Sequence, residues 1–215
     1  MAVKRKSYAE RTKMLKGLIT NINKNAGKNV INFASDEEMQ ERLRVEFIET
    51  PSLALNSAFG GFPRGNMTLV AGNPDSGKTS LLLETIGYNQ REDKDFIAGW
   101  CESEGSLSDE LLDMFGIDRD RFIVYECDHE NGAAETALDY VIALAQAGVD
   151  FIVVNSLKAL VPKKEVSDSM EDQNIALSAR LNSKFCRKIS SLLSNTGTAL
   201  AVVQHKATDI GSYGA

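Results

Sequence analysis

The sequence predicts an α/β fold in which a mostly parallel central sheet is flanked by helices, and three observations predict it. Gly72 to Thr79 reads G-x-x-x-x-G-K-[ST], entered by the apolar run Met67-Thr68-Leu69-Val70 and left by Leu81-Leu82-Leu83. That is the strand–loop–helix setting of a phosphate-binding loop. Short apolar runs then alternate with segments of helical period, which requires crossover connections and hence parallel strands covered on both faces. Finally, polar residues able to do chemistry (Glu102 and Glu104, Asn155 and Ser156, Gln204) close the predicted strands. Ligands of open α/β sheets sit at those carboxyl ends.

In chain order, Leu15, Leu18, Ile19 and Ile22 follow helical spacing, so residues 8–26 predict an amphipathic helix with Gly27 as its cap. Val30–Phe33 predicts a short strand, and Ser35 opens an acidic turn. A helix and one strand cannot bury both faces alone. Residues 1–35 therefore read as an arm that packs on the body of the protein or on another subunit, and residues 36–215 as the core. Arg44–Glu49 predicts a loose strand stopped by Pro51, and Ser52–Phe59 a short helix before a Gly/Pro turn. Core strands follow at Asn66–Ala71, Asp95–Cys101, Phe122–Tyr125, Phe151–Val154 and Thr198–Val203, with helices at Thr79–Tyr88, Leu107–Phe115, from Ala134 to Gly148, and at Leu177–Leu193. The unbroken run Phe151-Ile152-Val153-Val154 marks a strand buried on both faces.

The 215 residues suffice for one sizeable core, and 43% apolar with 25% charged residues is ordinary for a globular chain. The longest apolar runs are of strand length, and no signal-peptide core follows the basic N-terminus. Cys101, Cys127 and Cys186 are widely spaced and two of them lie in or beside apolar runs, which predicts free thiols and a reducing cytoplasm. Two histidines and no cysteine pair argue against zinc. The net charge of −6 hides an asymmetry. Residues 1–28 carry eight basic side chains against Glu10, while residues 101–131 carry ten acids against Arg119 and Arg121. Such a split suits self-association, a polyanion, or merely two solvated faces.

In the phosphate-binding stretch from Gly72 to Ser80 (Gly72, Asn73, Pro74, Asp75, Ser76, Gly77, Lys78, Thr79, Ser80), backbone N–H groups wrap a phosphate chain at a helix N-terminus. Lys78 reaches the β/γ-phosphates of ATP, and the Thr79 hydroxyl binds Mg²⁺. The acid expected after an apolar strand is here Asn155, whose carbonyl oxygen can orient a Mg²⁺-bound water without adding charge. Glu102 and Glu104 both follow the second core strand and alternate to the same side, so either can orient the attacking water. Gln204 closes the fifth strand, where its amide can sense a γ-phosphate.

These residues resemble the RecA recombinase family, including the UvsX-type recombinases of phages. Lys24–Lys28 with Val30–Phe33 is similar to the family's arm, which docks on a neighbouring protomer, and Gly60–Gly65 to the stretch before its P-loop. The resemblance implies a RecA-like ATPase core and assigns the catalytic glutamate to Glu104, within Ser103–Leu107. It makes Gln204 the residue that couples ATP to a second DNA-binding loop. It implies a first DNA-binding loop at about Lys163–Gln173, with contacts from Ile175, Arg180, Arg187 and Lys188, and with His205 and Lys206 opening the second loop. Acids outnumber lysines in the first loop. The family's adenine-stacking aromatic has no counterpart; Leu111 lies near its place. The family's closing strands fall beyond Ala215, so the core reads as truncated at its C-terminus.

The function so implied is a DNA-dependent ATPase that forms helical filaments of its own copies on single-stranded DNA and pairs it with duplex, in the cytoplasm (a host's, for a phage protein) and without a membrane partner. Two alternatives remain open at this level. One is another ATPase of the same fold, a ring helicase or a regulatory ATPase. The other is a nucleotide-binding accessory module that does not hydrolyse, which Asn155 favours.

Overall fold

In the computed structural model the described residues are 6–127, 134–167 and 177–206. The chain folds as two compact units, Met1–Val45 and Glu46–Ala215. In the first, helix α1 (Tyr8–Ala26) starts at a reciprocal cap: Glu10 N–H donates to Ser7 Oγ, and Ser7 N–H donates to Glu10 Oε2. The Ser7 N–H, and after it the Ser7 hydroxyl, donate to the Glu10 carboxylate and hold it below its ordinary pKa. Gly27 ends the helix at φ 66°. No residue of α1 is buried, and Leu15 and Leu18 of its apolar stripe stay 47% and 52% exposed. Val30–Phe33 forms no strand. With no ladder partner among the described residues, its backbone bonds to a side chain instead: Asn23 Oδ1 accepts from Val30 and Ile31 N–H, and Asn23 Nδ2 donates to Ile31 O. Helix α2 (Glu37–Leu43) is preceded by Asp36 rather than Ser35, and Asp36 Oδ2 accepts from Phe33 N–H.

The second unit opens with the two-residue strand β1 (Phe47–Ile48), antiparallel to β2 (Phe62–Pro63), with α3 (Leu53–Phe59) between them. The loose alternation of Arg44–Glu49 thus yields a short ribbon. Its turn is tied by Asn56, which accepts from Thr50 N–H and hydroxyl and donates to Thr50 O. The core then runs β3 (Met67–Gly72), α4 (Lys78–Glu92), β4 (Ala98–Glu102), α5 (Asp109–Phe115), β5 (Phe122–Glu126), α6 (Ala134–Gln146), β6 (Phe151–Asn155), α7 (Lys163–Ser167), α8 (Leu177–Thr196) and β7 (Ala199–His205). All five core strands pair in parallel, in the order β3-β7-β6-β4-β5. The expected α/β architecture is present.

Alternation along the strands divides the core. Trp100, Phe151, Val153, Ala201 and Val203 pack with Leu82, Leu83 and Ile86 of α4. Cys101, Ile152, Val154, Leu200 and Val202 pack with Val141 of α6 and Phe185, Ile189 and Leu193 of α8. The face to which a strand's last residue belongs follows from this split. Cys101 Sγ lies 4.0 Å from Cys127 Sγ, and that contact together with burial pushes the Cys101 thiol far above its ordinary pKa.

Helix α4 runs four residues beyond the expected Tyr88 because one polar residue of its last turn, Gln90, is buried and bonded. Gln90, 2% exposed, donates to the carbonyls of Asp118 and Arg121 and accepts from Asp118 N–H. Gly87 lets α4 and α5 touch: a Cβ there would stand 2.0 Å from Phe115 O. Gly87→Ala forces backbone apart in a packed core, so thermal unfolding should show a loss of about 1–3 kcal/mol, the range for overpacking.

Candidate functional site

The loop between β3 and α4 is built for an anion. Asp75 (φ 58°) and Gly77 (φ 82°) both adopt left-handed backbone, which turns successive N–H groups into a concavity. Gly72 keeps it open, since a Cβ there would meet Ser76 Oγ at 2.7 Å. Helix α4 begins at Lys78, so its positive end faces the loop. A cleft of about 370 Å³ opens here, lined by residues 74–80 together with Glu104, Ser106 and His205.

Lys78 is 8% exposed and pairs with no carboxylate among the described residues; its ammonium donates to Asn73 O at 2.7 Å and to His205 Nδ1 at 3.4 Å. A lysine ammonium only donates, so Nδ1 accepts here and the ring proton sits on Nε2. His205 Nε2 in turn donates to Glu104 Oε1 at 2.9 Å. The Ser156 hydroxyl donates to the same carboxylate oxygen. His205 therefore bridges the phosphate loop to the end of β4.

Glu104 and Glu102, level in the sequence, occupy different settings. The Glu104 side chain remains 24% exposed and lines the cleft. Glu102 is 3% exposed; Trp100 Nε1 (2.9 Å) and Ser106 Oγ (3.0 Å) donate to its Oε2, and Glu104 N–H (2.7 Å) donates to its Oε1. Asn155, fully buried, donates through Nδ2 to Ser106 Oγ at 2.8 Å, and its Nδ2 stands 3.5 Å from Glu102 Oε2. Its Oδ1 is buried with no hydrogen-bond partner among the described residues. The Asn155–Ser156 peptide is cis. Ser103 Oγ lies 3.0 and 2.9 Å from the carbonyls of Asn155 and Ser156 and accepts from Ser156 N–H, locking the two strand ends together.

The structure thus brings together the phosphate loop, Glu104 and His205, with Asn155 one hydrogen bond behind Ser106. It does not bring in Gln204. Ala201, Val203 and His205 share the α4 face of β7, so Gln204 belongs to the α8 face with Leu200 and Val202. His205, expected on the DNA side, is the β7 residue in the cleft. Counting alternate residues on from Val203 is the sequence signal that finds it. Lys206 is exposed and its N–H bonds to Gly72 O. Arg180 and Arg187 are exposed on α8 opposite the buried Phe185, Ile189 and Leu193, while the exposed Lys188 flanks that face and lines a groove with Phe185, Leu138 and Ile142. Ile175 lies outside the described residues, as do residues 168–173 of the expected first DNA loop; Lys163–Ser167 of that loop form α7. Leu111 packs against the α4-side core.

The donor set suits a magnesium nucleotide. Thr79 lines the cleft, and the partnerless Asn155 Oδ1 is the kind of buried oxygen that a metal-bound water satisfies. Among the described residues no group of three His, Cys, Asp or Glu could hold a metal by itself, and no helix is long and apolar enough to cross a membrane.

The model of the RecA N-terminal domain matches residues 13–214. Protein RecA of Sulfurovum sp. (strain NBC37-1) is 34% identical over 209 residues, covering 96% of this chain and 58% of its own. Protein RecA of Mycoplasmopsis pulmonis (strain UAB CTIP) is 36% identical over 200 residues, covering 92% and 56%. Protein RecA of Leifsonia xyli subsp. xyli (strain CTCB07) is 34% identical over 211 residues, covering 96% and 56%. The chain spans little more than half the length of these relatives.

Proposed function

The chain belongs to the RecA family, and from that premise we propose that it is the nucleotide-binding core of an ATP-dependent DNA recombinase. In this reading it hydrolyses ATP in response to DNA, assembles with its own copies as a filament on single-stranded DNA, and pairs that strand with homologous duplex. The observation that carries the reading is the contact chain Lys78–His205–Glu104, which joins the phosphate loop, β7 and the proposed water-orienting acid.

The geometry supports the following roles. The loop amides and Lys78 hold the β- and γ-phosphates, and Lys78 exchanges Asn73 O for phosphate oxygens as ATP enters. That exchange releases His205 Nδ1, so the occupant of the γ-position is reported to β7 and to Lys206 beyond it. His205 therefore takes the sensor role. Glu104, steadied by Ser156 and His205, orients the attacking water. Thr79 and Asn155 would hold a magnesium ion, Asn155 through a water, and the ion would supply neutralisation of charge on the phosphates.

Arg180, Arg187 and Lys188 present an exposed basic face for a phosphate backbone. The stripe on α1 offers itself to a neighbouring copy, and residues 1–35 act as that docking arm.

The test is ATP hydrolysis with and without single-stranded DNA, with electron microscopy of the same mixtures. The expected result is stimulation by DNA and helical filaments. Nucleotide binding indifferent to DNA would overturn the recombinase reading. Closed rings would point instead to a helicase.

A further inference from the structure

Glu102 is a buried acid that the site described so far does not use. Every group bonded to it donates: an indole N–H, a backbone N–H and the Ser106 hydroxyl, which itself accepts from Asn155 Nδ2. An indole and an amide N–H have no lone pair to offer, so both oxygens of Glu102 act as acceptors. No salt bridge reaches it among the described residues, although its exposure is only 3%. A buried charge without a counter-ion is costly. Here the carboxyl stands one hydrogen bond, through Ser106, behind the nucleotide cleft, where it can serve a cation.

Its position says which cation. Glu102 and Asn155 are register partners on the adjacent parallel strands β4 and β6. Both fall on the α4 side of the sheet, Glu102 in step with Ala98 and Trp100, Asn155 in step with Phe151 and Val153. Ser106 touches both side chains and also lines the nucleotide cleft. At Asn155 the neutral amide turns Nδ2 toward the Glu102–Ser106 pair, and Oδ1 is the atom left without a partner.

We propose that Glu102 supplies from β4 the negative charge for the nucleotide's divalent cation that Asn155 does not carry on β6, while Asn155 Oδ1 orients a water of that cation. Magnesium keeps several of its waters and is usually served by one or two carboxylates plus phosphate oxygens, so an acid acting through a bound water is in keeping with its chemistry. Glu102 is thus a positioning residue. The amide at 155 also fits this division of labour: an acid there would put two carboxylates about 3.5 Å apart, where like charges repel strongly in a low-dielectric site.

The inference rests on the magnesium-nucleotide reading above, and the experiment separates the two. Binding of ADP and of a non-hydrolysable ATP analogue is measured with excess chelator and across a Mg²⁺ titration. The proteins are the wild type, Glu102→Gln, Asn155→Asp and the double variant, each with its melting temperature. Wild-type protein that binds neither nucleotide under any condition refutes the nucleotide reading itself.

If wild-type binding is enhanced by Mg²⁺, Glu102→Gln should bind in chelator as the wild type does but need roughly 10–100-fold more Mg²⁺ for the enhancement, the usual effect of an outer-shell partner. The double variant, with the charge moved to β6, should recover most of that loss. An unchanged Mg²⁺ requirement in Glu102→Gln, or a double variant no better than it, overturns the inference and leaves the nucleotide reading intact. Should Glu102→Gln fail to fold, Asn155→Asp decides. A melting temperature lowered in chelator and regained with Mg²⁺ and nucleotide supports the inference; an unchanged one overturns it.

Discussion

Lys78→Ala is expected to remove nucleotide-induced stabilisation while leaving the nucleotide-free protein at least as stable as the wild type. The first half follows from the number of bonds lost. Among the described residues Lys78 is the only lysine or arginine lining the cleft, and in the proposed reading it serves two phosphates at once. A hydrogen bond to a charged group contributes about 1.5–3 kcal/mol, so ATP affinity should fall by at least about tenfold. Removing a donor aimed at developing transition-state charge typically costs about 10²–10³ in turnover.

The second half follows from what Lys78 does without nucleotide. The residue is 8% exposed, yet among the described residues the partners of its ammonium are a carbonyl and an imidazole nitrogen, with no anion. Truncation therefore removes an incompletely compensated charge, and Asn73, which is exposed, can turn its carbonyl to water. Melting curves with and without ATP check both halves. A lysine whose loss lowers the melting temperature of the nucleotide-free protein would be structural, and the phosphate loop would lose its central residue as a ligand.

The fold was legible in the sequence wherever a segment was buried on one stripe or on both faces. Phe151–Val154 announced β6, and the spacing Ala134, Ala137, Leu138 and Val141 announced α6, because burial alone determined those residues. Legibility failed where polar groups did the structural work. Gln90 reads as loop, but it is a buried tie whose carboxamide replaces missing backbone partners at Asp118 and Arg121. Val30–Phe33 reads as a strand because Val, Ile and Phe favour extended backbone, yet a strand also needs a neighbour, and Asn23 took that place.

The candidate site shows the same division. Which stretches would meet was readable from strand ends; which of two adjacent residues faces the cleft was not, until the sheet faces were known. At the end of β4 the residue after the turn, Glu104, reaches the cleft, while Glu102 turns into the sheet. At the end of β7 the register puts His205, paired with Gly72, over the phosphate loop. Separations of one or two residues along a strand decide such questions, and hydrophobic patterns do not resolve them at a polar strand end.

The second large effect is expected of Glu104→Gln: turnover falling by about 10²–10⁴ with ATP affinity changed only a few-fold. The substitution is nearly isosteric. Its carbonyl oxygen can still accept from Ser156, so the strand-end contact survives. What is lost is the carboxylate's ability to draw a proton from water and its attraction for the donor on His205. A drop in turnover at constant affinity is the mark of an interaction made mainly in the transition state. Glu102→Gln offers the contrast that makes the result specific. If Glu102 acts on the cation, its defect shrinks as Mg²⁺ is raised to saturation. A defect at Glu104 is indifferent to Mg²⁺, because no excess of metal replaces the group that orients the water. Rates measured for both variants across a Mg²⁺ series therefore assign the two carboxylates separately. Should the Glu104 variant recover with metal while the Glu102 variant does not, the roles are exchanged, and the exposed acid at the cleft serves the ion while the buried one serves the water.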